Sequence, residues 1–303
     1  MSHCAIRPRP PDPSQLSQRS DLDARTPLWY FCTVRGLWIA LTALALSVSL
    51  FASQGTLIVT SGGREADALF GRLAGPDARI VFIPTAASSL RSESGVIWDP
   101  DTQQHRDDFE KEILKRFGLK QVTILHTRDR DVADSEAFVS PLRSANSVWI
   151  SGGNAGRLAD AYVGTKVVTE LKALLARGGT IGGESAGAII QGSYIVRGNP
   201  QKPVLMVDGH DTGFGFLPAI AIDPHLTLQK RENELVTVVD RYPQLLGIGI
   251  DDDTGLLVRG EIAEVFGSGR VAIYDNRKHD SAWYYYLKTG DRFNLRTRQP
   301  SPN

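Results

Sequence analysis

The chain is nearly free of cysteine and carries no excess charge. Its 303 residues include only Cys4 and Cys32, so the chain beyond residue 32 cannot form a disulfide, a thiolate metal site or a cysteine nucleophile. The 34 basic residues are balanced by 34 acidic ones. This balance gives no electrostatic reason to expect a nucleic-acid partner.

Motifs for metals and phosphates are also lacking. The segment VDGHD at 207–211 has no second histidine at helical spacing. Gly62-Gly63 follows a predicted strand, but the further glycines and the lysine of a phosphate loop do not follow. The run of aspartates at 251–253 is interpreted as a polar turn. We therefore predict no metal and no other cofactor.

One uncharged apolar run lies near the N-terminus. Residues 1–36 are rich in Pro, Arg and Ser and are predicted to be a disordered leader. Residues 36–52 carry no charge, follow Arg35 and end in small residues, which is the layout of an export signal. We assign 37–53 as a signal peptide or membrane anchor. The prediction is an exported protein, periplasmic or extracellular, with membrane contact only through that segment.

The sequence from Thr56 to about residue 185 alternates between strand and helix patterns. The runs at 56–63, 78–86, 121–127, 147–153 and 178–185 are apolar on both faces, as expected for covered parallel strands. Amphipathic segments near 107–118, 132–143, 155–161 and 164–177 separate most of these runs. This alternation predicts an α/β fold with a doubly wound, mostly parallel sheet.

The C-terminal part has closely spaced strand patterns. They lie at 216–223, 245–258, 261–267 and 270–275, and Ser268-Gly269 predicts a β-hairpin between the last two. The aromatic run at 284–286 is either an edge strand or the contact of a homodimer. We predict one domain over 55–290 and a polar tail over 291–303.

A serine lies between two glycines at one strand-to-helix junction, in the sequence GESAG at 183–187. Such a turn exposes a side chain at the top of a sheet, where it can attack a carbonyl. A serine needs a base, and His225 alone among the six histidines directly ends an apolar strand and begins a helical pattern. Packing roles for Ser185 and His225 are the alternative interpretation.

Five segments in order resemble the cyanophycinase and aspartyl dipeptidase group of serine peptidases. They are VWISGGNAGRL, LLARGGTIGGESAGAIIQGSYIVRG, GFGFLPAIAIDPHL, LLGIGIDDDTG and EVFGSGRVAIYD. The resemblance covers most of residues 56–275. It implies a flavodoxin-like sheet related to class I glutamine amidotransferases, with a serine where those enzymes carry cysteine.

The resemblance also implies roles for individual residues. Ser185 corresponds to the nucleophile and His225 to the general base, and the backbone N–H groups of Gly153 and Ala186 correspond to the oxyanion hole. Asn199 stands where the family tends to carry a carboxylate. An asparagine can orient an imidazole but cannot stabilise its charge.

Other acids remain open for the third position, and Asn199 can equally be a turn residue. The alternatives are Asp208, Asp211 and Asp223.

We assign Asn154 and Arg231 to the substrate pocket that the resemblance implies. The alternative for Arg231 is a position on a solvated helix face. Pro224 and Ala155 replace glutamines that handle the β-Asp-Arg polymer in cyanophycinases. We therefore predict a peptidase or amidase acting on small peptides, isopeptides or cyanophycin-type substrates through a Ser-His acyl-enzyme. The alternatives are an exported binding protein and an esterase.

Overall fold

The computed structural model describes residues 55–91, 95–102, 104–197 and 211–302. The predicted leader and the segment at 37–53 lie outside these residues. The strands are β1 (Thr56–Thr60), β2 (Ile80–Ile83), β3 (Leu90–Arg91), β4 (Ile97–Trp98), β5 (Val122–Ile124), β6 (Ser147–Ile150), β7 (Thr180–Glu184), β8 (Gly192–Tyr194), β9 (Leu217–Pro224), β10 (Leu246–Ile250), β11 (Thr254–Arg259), β12 (Ile262–Gly267), β13 (Arg270–Tyr274), β14 (Tyr285–Lys288), β15 (Arg292–Asn294) and β16 (Gln299–Ser301). The helices are α1 (Arg64–Ala74), α2 (Arg106–Phe117), α3 (Arg130–Ala133), α4 (Glu136–Ser144), α5 (Ala155–Tyr162), α6 (Lys166–Ala176), α7 (Ala186–Ile189) and α8 (Glu234–Arg241).

The five strands predicted from the alternating pattern form the parallel half of the main sheet. Among the described residues this sheet has nine strands in the order β16-β15-β12-β11-β1-β7-β6-β2-β5. The pairs from β1 through β7, β6 and β2 to β5 are all parallel. The remaining four strands are antiparallel additions beyond β1. The predicted α/β class with a parallel sheet is confirmed.

Apolar side chains cover both faces of the main sheet, because successive residues of a strand point to opposite sides. In β1, Leu57 and Val59 belong to one core cluster and Ile58 to another. The second cluster includes Phe70 of α1 and the fully buried Trp149 of β6, whose ring centroids lie 4.9 Å apart. The larger cluster contains residues of α4, α5, α6 and α7.

A second sheet brings two more parallel strand ends to the site. In the described part of the chain it has five strands in the order β14-β13-β10-β9-β8. Strands β9 and β10 are parallel, with Asp223 opposite Gly249 and Pro224 opposite Ile250. The residues that follow the two strands, His225 and Asp251, therefore leave this sheet at the same edge.

The predicted hairpin between 261–267 and 270–275 is not formed. Strand β12 pairs with β11 in the main sheet, whereas β13 pairs with β10 in the second sheet. C-terminal hairpins are present at other turns: β11 and β12 are joined through Gly260-Glu261, and β15 pairs with β16. Ser268-Gly269 is thus the link at which the chain passes from the main sheet to the second sheet. Gly269 packs so tightly there that a Cβ would lie 2.6 Å from Asp251 Cβ.

Two further expectations about the C-terminal part need correction. Residues 292–294 and 299–301, expected in a polar tail, pair as β15 and β16 because Phe293 is buried in the core. The residues after His225 form turns, and the helix α8 begins only at Glu234.

Strand β14 contains Tyr285 and Tyr286 and lies at the edge of the second sheet, so the edge-strand interpretation is the one observed. Within the described ranges, no helix combines the length and apolar character that a bilayer crossing needs.

Candidate active site

Ser185 occupies a strained turn between β7 and α7. Its φ and ψ are 51° and −113°, a region that residues other than glycine rarely adopt. Its N–H donates to Thr60 O at 2.9 Å, which continues the pairing of β7 with β1 by one residue. The turn therefore carries the hydroxyl past the carboxyl end of the parallel sheet, as the motif predicts.

The two glycines that flank this turn are required by close packing. A Cβ at Gly183 would lie 2.3 Å from Gly187 O, and a Cβ at Gly187 would lie 2.1 Å from Ile150 O. Both distances are shorter than any real contact between these atoms. The glycines are thus required by close backbone contacts, whereas the serine between them carries its hydroxyl beyond the end of the strand.

His225 faces Ser185 across the gap between the two sheets. Its Nε2 lies 3.1 Å from Ser185 Oγ, although 40 residues separate them in sequence. His225 directly follows β9 and has a φ of 59°. Its N–H donates to Ser61 Oγ at 3.2 Å, and the Ser61 hydroxyl donates to Ile250 O at 3.0 Å. These bonds tie the ends of β1, β9 and β10 together around the imidazole.

Asp252 is the third member of this arrangement. Its Oδ1 lies 2.6 Å from His225 Nδ1. A carboxylate only accepts hydrogen bonds, so the ring proton resides on Nδ1 and Nε2 is left to accept the Ser185 proton. The neighbouring Asp251 accepts from the N–H and hydroxyl of Thr227 and from Arg270 N–H, which fixes the turn after His225.

The predicted oxyanion donors flank the serine. Gly152 is so close that a Cβ there would lie 3.2 Å from Ser185 Cβ. Gly153 has a φ of 139°, and a Cβ on it would lie 2.3 Å from Ala86 O. Ala186 opens α7, and the first N–H groups of a helix have no intrahelical acceptor. The N–H groups of Ala186 and of the Gly152-Gly153 turn therefore belong to residues next to Ser185, on the side where the carbonyl oxygen of an attacked substrate would become an oxyanion.

Asp252, which is none of the four residues considered for the third position, is the carboxylate that contacts His225. Asn199 and Asp208 lie outside the described residues. Asp211 accepts from the adjacent Thr212 hydroxyl at 3.2 Å. Asp223 is buried and accepts hydrogen bonds from Arg197 at 2.6 and 3.0 Å, whereas His225 Nδ1 contacts Asp252.

A usable signal for Asp252 existed in the sequence. The aspartate run directly follows an apolar run, as His225 does, and only the structure shows that the two strands are parallel neighbours. Interpreting that run as a polar turn identified its local structure but not its contact with the imidazole.

The two residues assigned to the substrate pocket have structural partners of their own. Asn154 caps α5, with its side-chain oxygen accepting from Gly156 N–H at 2.8 Å. Arg231 donates to Asp223 Oδ1 and to Pro224 O, both at 3.3 Å. Burial lowers the pKa of Arg231 despite the neighbouring Asp223. Arg231 thus lies against a buried carboxylate rather than on a solvated helix face.

An ion cluster supports the residue before the serine. Arg116 of α2 donates to both oxygens of Glu184, at 3.1 and 2.6 Å, and to Asp67 of α1 at 2.7 Å. The two carboxylates raise the pKa of Arg116 although burial opposes its charge. Burial raises the pKa of Asp67, and the contact with Arg116 only partly offsets this. Because Glu184 adjoins Ser185, the cluster anchors the strained turn to two helices.

A large apolar cavity is separate from this site. Its volume is about 560 Å³, and its lining includes Gly55, Leu57, Leu217 and Val258. Gly55 precedes β1 and Leu57 is its second residue, whereas the serine turn adjoins the end of that strand at Thr60. The cavity therefore lies at the amino end of β1, and the serine turn lies at its carboxyl end.

Comparisons with known proteins place the chain in a family. The profile of Peptidase family S51 matches residues 50–266, and the chain belongs to this family of serine-type peptidases. Its relatives include the cyanophycinase of a Nostoc species, 29% identical over 262 residues that cover 79% of this chain and 83% of the relative. The cyanophycinase of Geminocystis herdmanii is 27% identical over 246 residues, covering 75% and 86%.

A solved structure shares the fold. The crystal structure of a peptidase from an acI-B1 Actinobacterium superposes with a TM-score of 0.58 at 21% identity, covering 79% of this chain and 96% of the other. The predicted membership in the cyanophycinase and dipeptidase group is confirmed.

Proposed function

We propose that this peptidase hydrolyses amide or isopeptide bonds through a Ser185–His225–Asp252 triad and an acyl-enzyme. The observation that carries the proposal is a continuous pair of hydrogen bonds: the Ser185 hydroxyl donates to His225 Nε2 at 3.1 Å, and His225 Nδ1–H donates to Asp252 Oδ1 at 2.6 Å. The strained backbone of Ser185 supports it, because such strain is found mainly where function requires it.

The proposed reaction begins with His225 Nε2 taking the proton of the Ser185 hydroxyl while the oxygen attacks the substrate carbonyl. Asp252 stabilises the imidazolium that results. The tetrahedral oxyanion accepts hydrogen bonds from the N–H groups of Ala186 and Gly153, and the positive end of α7 favours its charge.

Collapse of this intermediate breaks the C–N bond, and the proton on His225 passes to the leaving amine. Water then gives a proton to the same imidazole and attacks the ester. When this second intermediate collapses, the C–O bond to Ser185 breaks, His225 returns the proton to Ser185 Oγ and the acid is released.

The proposed substrates are small peptides or isopeptides of the cyanophycin type. The similarity to proteins named cyanophycinase supports this class. Arg231 is half-buried beside Asp223, where a guanidinium can meet a substrate carboxylate through its remaining N–H groups. Pro224 and Ala155 lack the amide groups expected at a site for the polymer itself, so we favour short substrates over the intact polymer.

A fluorophosphonate probe tests the triad, because it forms a covalent bond only with an activated serine. We expect labelling of the native chain and none in Ser185→Ala. A folded native chain that is not labelled would support the alternative of a binding protein without turnover.

A substrate panel separates the remaining alternatives. It consists of β-aspartyl dipeptides, α-aspartyl dipeptides and p-nitrophenyl esters. We expect β-aspartyl dipeptides to give the highest kcat/KM. Turnover of the esters alone would identify an esterase, which the same Ser185–His225 pair can support.

We also propose that the protein is exported and that it contacts the membrane only through residues 37–53. The uncharged run behind a single arginine supports it. Cell fractionation with an epitope at the C-terminus checks this, and accumulation of the full-length chain in the cytoplasm would contradict export.

We also propose a homodimer through the edge strand β14, whose backbone groups on the outer side have no neighbouring strand among the described residues. Light scattering on the purified chain measures the mass directly, and a monomer at all concentrations would contradict it.

A further inference from the structure

A second hydrogen-bond network, separate from the proposed triad, lies behind the Gly152–Asn154 turn. Thr85 Oγ1 lies 2.9 Å from His126 Nδ1 and 2.6 Å from the hydroxyl of Tyr162. His126 Nε2 lies 2.9 Å from Asp101 Oδ1. Thr85 and Tyr162 are fully buried, and the His126 side chain is 9% exposed. The proposed reaction uses none of these four side chains.

The donors and acceptors allow only one arrangement of protons when His126 is neutral. The Asp101 carboxylate can only accept, so the ring proton lies on Nε2 and Nδ1 accepts the Thr85 proton. Tyr162 must then donate to Thr85, and its oxygen accepts from Thr127 N–H at 3.3 Å. Burial raises the pKa of Tyr162 to about 12, which keeps its hydroxyl protonated and able to donate.

Charged groups around His126 are consistent with the neutral ring. Burial lowers the pKa of His126, and the nearby Arg128 acts in the same direction, whereas Asp101 and Asp99 oppose them. A proton added to Nδ1 would face Thr85 Oγ1 and force that hydroxyl to donate to Tyr162 instead. The Tyr162 proton would then lose its acceptor inside the core, where an unmade hydrogen bond is costly.

The network fixes the loop that carries Thr85. Arg128 binds Asp101 through Nε at 2.9 Å and donates to the carbonyls of Thr85 and Ala87, at 3.1 and 2.8 Å. The carbonyls of three consecutive loop residues are therefore all held. Arg128 binds those of Thr85 and Ala87, and Ala86 O, which lies between these two, is bound from the other side. It accepts from Asn154 N–H at 2.9 Å.

The same loop presses on the candidate oxyanion turn. Arg157 also donates to Ala86 O, at 3.2 Å. A Cβ on Gly153 would lie within 2.7 Å of Ala86 O and of Ala87 N, so the two backbones are in direct contact. Any shift of this loop must therefore move the peptide group of Gly153.

We propose that Thr85 and His126 are positioning residues that hold the Gly153 N–H in register for the oxyanion through the loop at 85–87. This inference rests on the proposed function, since it assigns the network a role in the same reaction. The network touches neither the nucleophile nor the base. Its loss should therefore reduce transition-state stabilisation while leaving substrate binding largely unchanged.

The test compares Thr85→Val with Thr85→Ser in the full-length chain. Valine keeps the shape but removes the hydroxyl, whereas serine keeps the hydroxyl. We expect Thr85→Val to lower kcat by about 10- to 100-fold, the range for a displaced but not deleted catalytic group. KM should stay within about twofold, and Thr85→Ser should retain most of the native kcat.

Amide hydrogen exchange gives a readout that does not depend on activity. Mass spectrometry of a peptide covering residues 151–156 reports the protection of Asn154 N–H. We expect exchange at least about tenfold faster in Thr85→Val than in Thr85→Ser, because the loop that carries Ala86 O loses the bonds of the Thr85 hydroxyl to His126 and Tyr162. Asp101→Asn, at a half-exposed position, provides a second variant that should also speed exchange if Thr85→Val fails to fold.

The outcomes separate this inference from the proposed function. Equal kcat and equal exchange in the two Thr85 variants would overturn the positioning role while leaving the triad intact. A native chain that hydrolyses nothing would overturn the proposed function, and exchange would still decide whether the network holds the turn. Faster exchange with unchanged kcat would show that the network is structural only and would also overturn the inference.

Discussion

Asp252→Asn is the most informative single change in this protein. The amide group of asparagine would donate to His225 Nδ1, which moves the ring proton to Nε2. The imidazole could then no longer accept the Ser185 proton. The change thus removes both the charge beside the imidazolium and the correct tautomer, while the side-chain shape is retained.

The size of the effect follows from two terms. A hydrogen bond to a charged group contributes about 1.5–3 kcal/mol, which corresponds to roughly 10- to 100-fold in rate. The wrong tautomer adds to this, and in serine hydrolases the corresponding change lowers kcat about 10⁴-fold. The Asp252 side chain is 36% exposed, so water can replace part of its role. We expect kcat to fall by about 10²- to 10⁴-fold with a small change in KM.

The assay is steady-state hydrolysis of the best substrate in the panel, together with the rate of fluorophosphonate labelling. Asp253→Asn is the matched control, because this neighbour lies against Gly63, where a Cβ would be 2.5 Å from its Oδ1. It should change kcat less than about threefold. If Asp252→Asn keeps nearly full activity while Asn199→Ala or Asp208→Asn loses it, the assignment of the third residue is refuted.

Further predictions concern the glycine turn and the ion cluster. Gly153→Ala should lower kcat about 10²- to 10³-fold, since the new Cβ would collide with Ala86 O and displace a donor; circular dichroism should show a folded chain, and unchanged kcat would contradict this. Arg116→Met should lower the free energy of unfolding, measured in urea, by about 1–3 kcal/mol, because it leaves two part-buried carboxylates without their cation. This is less than the loss for a fully buried pair. Adding Glu184→Gln should recover part of it. Because burial raises the pKa of Asp67, its contribution to stability is full below the ordinary value of 3.8 and is lost as pH rises through the folded-state pKa. Asp67→Asn should therefore flatten the fall in unfolding free energy over that window, and an unchanged pH profile would contradict the assignment.

The sequence by itself determined the elements whose cause is local. Apolar runs without polar faces can be stable only inside a covered sheet, so the five parallel strands were predictable. GESAG required a sharp turn because its glycines leave no alternative packing, and this placed Ser185 at a strand end. His225 was identifiable because it directly ends an apolar strand.

Tertiary structure decided everything that depends on which strands become neighbours. Asp252 became the partner of His225 because β9 and β10 are parallel and end at one edge, a pairing that no local pattern encodes. The short link at Ser268-Gly269 favoured a hairpin locally, yet β13 pairs with β10 in the second sheet, where Val271 and Ile273 are buried. Arg231 likewise found a buried carboxylate instead of solvent. Such contacts are set by the competition for burial over the whole chain, which spacing along the sequence does not contain.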